Sequence, residues 1–317
     1  MPAATTLKLK LKPPATRVSY VDAVTSVLNA LGIKRDCTDV AGTSGYGFVI
    51  NVHPTLSPSG PTAFDMEMLM QGTRALGIDT QLFTAPRNPR DDERNAAELF
   101  ERVREEIDAG RPCVVWGAAS SPEFGVVIGY RAEEYVVRSS SGPVALNVPA
   151  RGLCAEGSFC LVTFGEPGGD TSSNADRDAL ARAVQLLVGR HPCYFPGYNH
   201  GAAAFEAWAD SLAGQPESVN PAGIAYNAAC YAELQGFAAG FCTRMAGRNR
   251  AGATPLGEAA AALRASAANL ERLSALFPLP TGAGPAGRAQ VGARLLAECA
   301  GHVRAAAGAL QRALALM

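Results

Sequence analysis

Three features predict an α+β domain over residues 1–165 followed by an all-α helical bundle over residues 166–317. Short β-rich apolar runs crowd the stretch from Cys113 to Phe164. Beyond Ser173 nearly every segment repeats its apolar residues at helical spacing. Between the two lies a spacer of turn formers, Glu166-Pro-Gly-Gly-Asp-Thr-Ser-Ser173, where the boundary is placed. A chain of 317 residues also fits two domains at about 150 residues each.

The elements follow in order. Leu7, Leu9 and Leu11 alternate with lysines, the period of an edge strand with one wet face. Val18 to Leu31 carries apolar residues at 18, 21, 24, 27, 28 and 31 and stops at Gly32, so a helix is predicted there. A glycine-rich loop, Gly42 to Gly47, leads into a predicted strand, Phe48 to Val52. Helices are predicted over Thr62–Leu76 and Ala96–Ala109, each closed by a glycine. Strands at 113–117, 125–130, 134–138 and 158–164 are joined by turns too short for crossover helices, so the sheet is predicted antiparallel. The second half offers helices near 175–189, 201–213, 223–246, 255–276 and 286–316. Alanine supplies 22 of the last 67 residues, which favours helix and lets helices approach closely.

Composition excludes several function classes. With 48% hydrophobic and 18% charged residues the chain has material for real cores, and no apolar run reaches the roughly 18 residues of a membrane span. Net charge is -1 and the basic residues are scattered, so neither nucleic acid nor an anionic membrane is an expected partner. No CxxC occurs and the four histidines do not pair with cysteines at zinc spacing, so no metal site and no cofactor is expected. The N-terminal MPAATTLKLKLKPP lacks an apolar signal core, and the eight cysteines read as reduced and mostly buried in apolar surroundings, which places the protein in the cytoplasm.

Gly42, Gly45 and Gly47 do not make GxGxxG and precede a strand rather than a helix, so they read as a tight turn, not a phosphate cradle. Two segments then stand out. Arg17-Val-Ser-Tyr-Val-Asp-Ala-Val-Thr-Ser-Val-Leu-Asn-Ala-Leu-Gly32 resembles the nucleophile helix of bacterial double-glycine leader peptidases, which are papain-like cysteine peptidases. Pro122-Glu-Phe-Gly-Val-Val-Ile-Gly-Tyr130 resembles the strand that carries their catalytic histidine. Gly42 to Asn51, Pro61 to Asp65 and Arg111 to Gly117 add a closer resemblance to the N-terminal domain of the butirosin biosynthesis protein H family, over about residues 15–165. That family is a papain-like offshoot whose namesake transfers an acyl group from a carrier protein to an aminoglycoside, so the resemblance implies a papain-like fold and an acyl-carrier protein among the partners.

By the same resemblance Ser19 falls on the nucleophilic cysteine, Glu123 on the histidine, and Ser139 and Ser140 stand where the aspartate would come. A thiolate activated by an imidazolium is thereby replaced at every position, so cysteine-peptidase chemistry is expected to be lost. Glu123 reads either as a recognition group for a cationic or hydroxylated ligand or as a carboxylate accepting turn amides. Tyr20, beside Ser19, and Trp116, in Cys113-Val-Val-Trp, are candidate ligand contacts, although a strand tryptophan is also an ordinary core residue. In the helical half Tyr198, His200, Tyr226 and Asn227 form two polar islands and are read as covering the cleft of the first domain, with helix capping and helix cross-linking as the plainer alternatives. His200 is the one obvious replacement base.

The expectation is a catalytically degenerate papain-like protein that binds a small molecule or peptide in the former active-site cleft. An acyltransferase or hydrolase using Ser19 is the first alternative. A non-catalytic interaction protein dimerising through its Ala-rich helices is the second.

Overall fold

The computed structural model describes residues 4–9, 11, 16–118, 122–138, 145–149, 153, 157–168, 173–214, 220–278 and 287–317. The protein is α+β and falls into two compact units: residues 1–40 with 73–171, and residues 41–72 with 172–317. The switch near residue 171 lies in the turn-former spacer. The sequence reading did not anticipate that residues 41–72, assigned there to the first half, make their contacts with the helical half.

The first unit is built on a seven-stranded antiparallel sheet. Its strands are β1 (Ala4–Thr6), β3 (Ile78–Pro86), β4 (Cys113–Trp116), β5 (Phe124–Arg131), β6 (Glu134–Arg138), β7 (Ala145–Pro149) and β8 (Ser158–Pro167), ordered β3-β8-β4-β5-β6-β7, with β1 on β5. Short β2 (Asn51–Val52) belongs to the second unit. Helices α1 (Ser19–Ala30) and α4 (Asp92–Asp108) both pack on this sheet. Strand alternation sends Cys113, Val115, Val127, Tyr135, Val137, Phe159 and Leu161 into one core with Leu99, Phe100, Val103 and Ile107 of α4. Phe124, by contrast, meets Tyr20 of α1. The apolar stripe of α1 is realised in Val21, Val24, Val27 and Leu28, all fully buried.

Several local expectations are corrected. The N-terminal strand β1 ends at Thr6, before the leucine-lysine alternation; Leu7 beyond it packs against the sheet core and donates its amide to Ile128 O at 2.8 Å. The glycine-rich loop begins inside a helix, α2 (Cys37–Ser44), which Gly45 ends at φ 89° before a 3₁₀ turn, Tyr46–Phe48, occupies the start of the predicted strand. The predicted helix over Thr62–Leu76 shortens to α3 (Glu67–Thr73) and a 3₁₀ turn, Arg74–Leu76. Strands β3 and β7 carried no prediction.

The second unit contains α5 (Ser173–Leu187), β9 (Asn199–His200), α6 (Ala202–Gly214), α7 (Pro221–Arg248), α8 (Ala253–Leu276) and α9 (Arg288–Ala315). The five expected helices are present within a few residues of their expected ends. Helix α8 packs between α7 and α9, and α9 also meets α5 and α6. Residues 41–72 lie on α7 so tightly that a Cβ on Gly42 would fall 2.2 Å from Phe241 Cγ and one on Gly223 would fall 1.7 Å from Leu56 O. Asn220 caps α7, its Oδ1 accepting the Gly223 amide at 3.0 Å, with Pro221 as the first helical residue.

Gly223→Ala is therefore expected to lower the stability of the helical unit by about 2 kcal/mol or more, because backbone must move to admit the methyl group. Gly236→Ala, in the same helix with nothing within 4 Å of the new Cβ, is expected to raise it by about 0.5–1 kcal/mol. Urea midpoints followed by helical circular dichroism, at unchanged m, test the pair.

Candidate functional site

At one end of the first unit's sheet, Ser19 opens α1 and Phe124 opens β5. The Phe124 amide donates to Ser19 Oγ at 3.0 Å, so the helix N-terminus and the strand start are tied by one hydrogen bond. The N-cap residue Val18 has no capping side chain; its own amide donates to Thr16 Oγ1 at 3.1 Å. Glu123 is half-buried immediately before β5, and its main-chain carbonyl accepts the Gly117 amide at 2.8 Å. That contact closes the β4–β5 ladder just beyond the Trp116–Phe124 pair.

Aromatic rings surround the tether. Phe124 stands edge-on to Tyr20 at 5.4 Å and to Trp116 at 4.9 Å, ring centre to ring centre. Tyr20 and Phe124 are buried, whereas Trp116 is half-buried. A Cβ on Gly157 would fall 3.5 Å from Trp116 Nε1. The structure therefore brings Ser19, Tyr20, Trp116 and the backbone of Glu123 to one place. Ser139 and Ser140 lie outside the described residues.

Two charged residues that the sequence reading passed over join them. Asp22 is one turn after Ser19 on α1, with only 9% of its surface exposed. Arg138 ends β6 opposite Val126 of β5. Burial draws the Arg138 guanidinium below its ordinary value, while the Asp22 carboxylate acts against that shift. An aspartate placed among the valines of α1 is the signal that was available for this pair.

The residues of the second unit are occupied within that unit. Asn227 is fully buried and its Nδ2 donates to Ser57 O at 3.0 Å. Tyr198 OH shares a 2.9 Å hydrogen bond with Ser59 Oγ. His200 stacks on Tyr194 at 4.3 Å, and its Nε2 donates to Phe195 O at 3.2 Å. Burial lowers its pKa from the usual imidazole value, with the Phe195 carbonyl opposing. Tyr226 is half-buried on α7. Tyr198, His200 and Asn227 thus converge on residues 51–63, a cluster completed by Asn51, Tyr194 and Tyr231, for which the sequence offered no spacing signal.

The cysteines offer no replacement nucleophile among the described residues. Cys37, Cys113, Cys160, Cys193, Cys230, Cys242 and Cys299 are all free and buried. Burial pushes Cys160, Cys193, Cys242 and Cys299 up to about 12, and Cys113 higher still. Among the described residues no group of three or more His, Cys, Asp or Glu side chains is placed to hold a metal ion, and no helix is long and apolar enough to cross a membrane.

With seven thiols buried and five of them raised in pKa, a Cys154→Ser protein is expected to show less than one thiol reactive to Ellman's reagent per chain at pH 8 when native. All seven remaining thiols should react once the chain is unfolded in guanidinium. Rapid native labelling of any of the seven would contradict the burial found here. Protein-family models give no match to this chain, and a search of curated proteins likewise finds none, so the functional argument rests on the geometry around Ser19.

Proposed function

We propose that the α+β unit is a catalytically degenerate papain-like domain that binds a small molecule or peptide at the end of its sheet marked by Ser19. The observation that carries this reading is the 3.0 Å hydrogen bond from the Phe124 amide to Ser19 Oγ. It joins the first residue of a helix to the first residue of the strand that follows Glu123. By the resemblance of the two segments, Ser19 corresponds to a papain-like nucleophile and Glu123 to its base, with other chemistry at both positions.

The chemistry argues against hydrolysis. All four histidines of the chain, at 53, 191, 200 and 302, fall in the helical unit, so residues 1–40 and 73–171 contain no imidazole. A serine hydroxyl needs a base to remove its proton in the transition state. A carboxylate at Glu123 is poorly matched to an alcohol of far higher pKa, unlike the Cys-His pair of an active peptidase. Ser19 instead holds the helix to the strand, leaving its hydroxyl hydrogen free to donate to a ligand. Trp116 offers a half-buried ring opposite the same strand start, and Asp22 and Arg138 supply charges of opposite sign that influence one another. Polar groups of both signs next to an aromatic surface suit recognition of a small polar molecule or a peptide.

Ser19→Ala is expected to cost about 1 kcal/mol of stability in the α+β unit, since the Phe124 amide loses its partner. Serine-directed acylating probes are expected to leave Ser19 unlabelled in the wild type. Labelling at Ser19 that disappears in Ser19→Ala would overturn the non-hydrolytic reading in favour of an acyl-transferring serine.

Ser19→Cys is likewise expected to gain no peptidase activity, because a thiol at the helix N-terminus still lacks an imidazole within its own unit. The binding half of the reading is tested by native mass spectrometry of the purified full chain and of Trp116→Ala. A retained small molecule or peptide, lost or reduced in the variant, is expected. A wild type that retains nothing, and whose Trp116 fluorescence is unmoved by a library of small polar molecules and peptides, would sink it.

A further inference from the structure

Three of the four histidines sit on one feature of the helical unit. The connection from α5 to α6, residues 188–201, runs as a strap over residues 50–65. Tyr194 OH accepts the Ile50 amide at 3.2 Å and donates to Leu186 O at 3.0 Å, and Tyr194 bridges to Phe64. The Asp65 amide donates to Cys193 O at 2.8 Å, the Gly201 amide to Ile50 O at 2.9 Å, and β9 pairs with β2 through Asn51 opposite His200. His191 and His200 lie near the two ends of the strap. His53 lies beneath it, its ring 5.1 Å from that of Tyr198.

His191 serves the strap in its neutral form: its Nδ1 accepts the Cys193 amide at 3.2 Å, and a proton on that nitrogen would set an N–H against an N–H. Beneath the strap His53 Nδ1 meets the Thr55 hydroxyl at 2.8 Å and the Thr55 amide at 3.2 Å. His200 lies flat on Tyr194, where a positive charge would be half enclosed. We infer that residues 188–201 form an acid-released strap over residues 50–65, which keeps its shape while His191 and His200 are neutral and loosens when they take up protons.

The surrounding charges fix the sign. Burial lowers His191, the Arg182 guanidinium of α5 lowers it further, and Asp65 opposes both. Burial also lowers His200, which faces Tyr194 and the Phe195 carbonyl. Thr55 and Tyr198 face His53. Folded-state values below the unfolded imidazole value mean that the unfolded strap binds more protons in acid. The stabilisation is complete above about pH 6.5 and is lost as pH falls below it. Loosening the strap would uncover fully buried Asn51 and Asn227, each of which has a side-chain oxygen without a hydrogen-bond partner in the closed form.

Hydrogen exchange of the full chain, read by mass spectrometry with intrinsic rates corrected for pH, tests the device. Between pH 7.5 and 5.5 peptides from 188–201 and 50–65 should lose protection on the order of tenfold, while α8 and α9 keep theirs. In a variant with His191→Asn and His200→Phe the loss should vanish. The asparagine can accept the amide two residues on without titrating, and phenylalanine keeps the stack. If that variant fails to fold at pH 7.5, His191→Asn alone should reduce the acid loss around Cys193. Equal protection at both pH values, loss spread evenly over the helical unit, or an undiminished acid loss in the variants would overturn the inference.

Discussion

The organisation of the helical unit depends on one buried contact, the phenol of Tyr231 against the main chain of Asn51. The Asn51 amide donates to Tyr231 OH at 3.1 Å, and the same hydroxyl donates to Asn51 O, with both residues fully buried. A two-residue strand has few ladder partners of its own, so both its backbone groups here are satisfied by one side chain from α7. Unpaired, those groups would cost about 1–3 kcal/mol each in the interior. Around this point Asn51 Nδ2 donates to Gly60 O and Ala63 O, turning the loop back on itself. Gly60 must be glycine for the loop to close, because a Cβ there would lie 2.4 Å from Asn51 O and 3.0 Å from Tyr231 OH. The segment 41–72 consequently folds as part of the bundle although residues on either side of it belong to the sheet unit.

In the α+β unit the corresponding constraint is geometric. An antiparallel sheet has two faces, and here α4 takes one and α1 the other. The face that meets α1 sets Phe124 beneath Tyr20, and the first turn of that helix must then lie at the strand's beginning. Ser19 and Glu123 are brought together by this layering rather than by any contact between their side chains. A helix start and a strand start at the same end of a sheet leave backbone amides and short side chains at its rim.

Much of this was legible from the sequence, and what was not has physical causes. The 3.6-residue stripe of α1 and the long helices α5 to α9 announce themselves because their burial is one-sided and sustained over many turns. Strand pairs β4–β5 and β5–β6 were legible because apolar runs stood next to turn residues. Strand β3 was not: Ile78-Asp-Thr-Gln-Leu-Phe-Thr-Ala-Pro86 lies at the sheet's edge, half-exposed, and its polar residues are those of an edge rather than a core. The glycines at 42–47 misled for another reason. They read as a tight turn, but Gly42 and Gly47 are small so that α2 and its 3₁₀ extension can lie against Phe241 and Leu234 of α7, a packing need decided about 190 residues away. Ser19 was reached through the resemblance of Arg17–Gly32, and Trp116 through its apolar strand run. Arg138 gave no such signal, since its place opposite Val126 comes from strand register, and Tyr198, His200 and Asn227 owe their proximity to a loop that the sequence reading grouped with the first half.

The distribution of titratable groups separates the two units more sharply than their secondary structure does. Every imidazole lies in the helical unit; His191 accepts an amide on Nδ1, which requires the neutral form, and burial lowers both His191 and His200. The α+β unit has carboxylates, guanidinium groups, lysines and buried thiols, none of which ordinarily changes charge near neutral pH. A proton arriving between pH 5 and 7 therefore finds its acceptors in one unit only. Binding at Ser19 and fastening of the strap are thus expected to respond to different variables, the first to ligand and the second to acidity. Ser19 is consistent with this division: a hydroxyl that accepts an amide and keeps its own proton gives the sheet unit a polar contact whose strength does not depend on pH across that range.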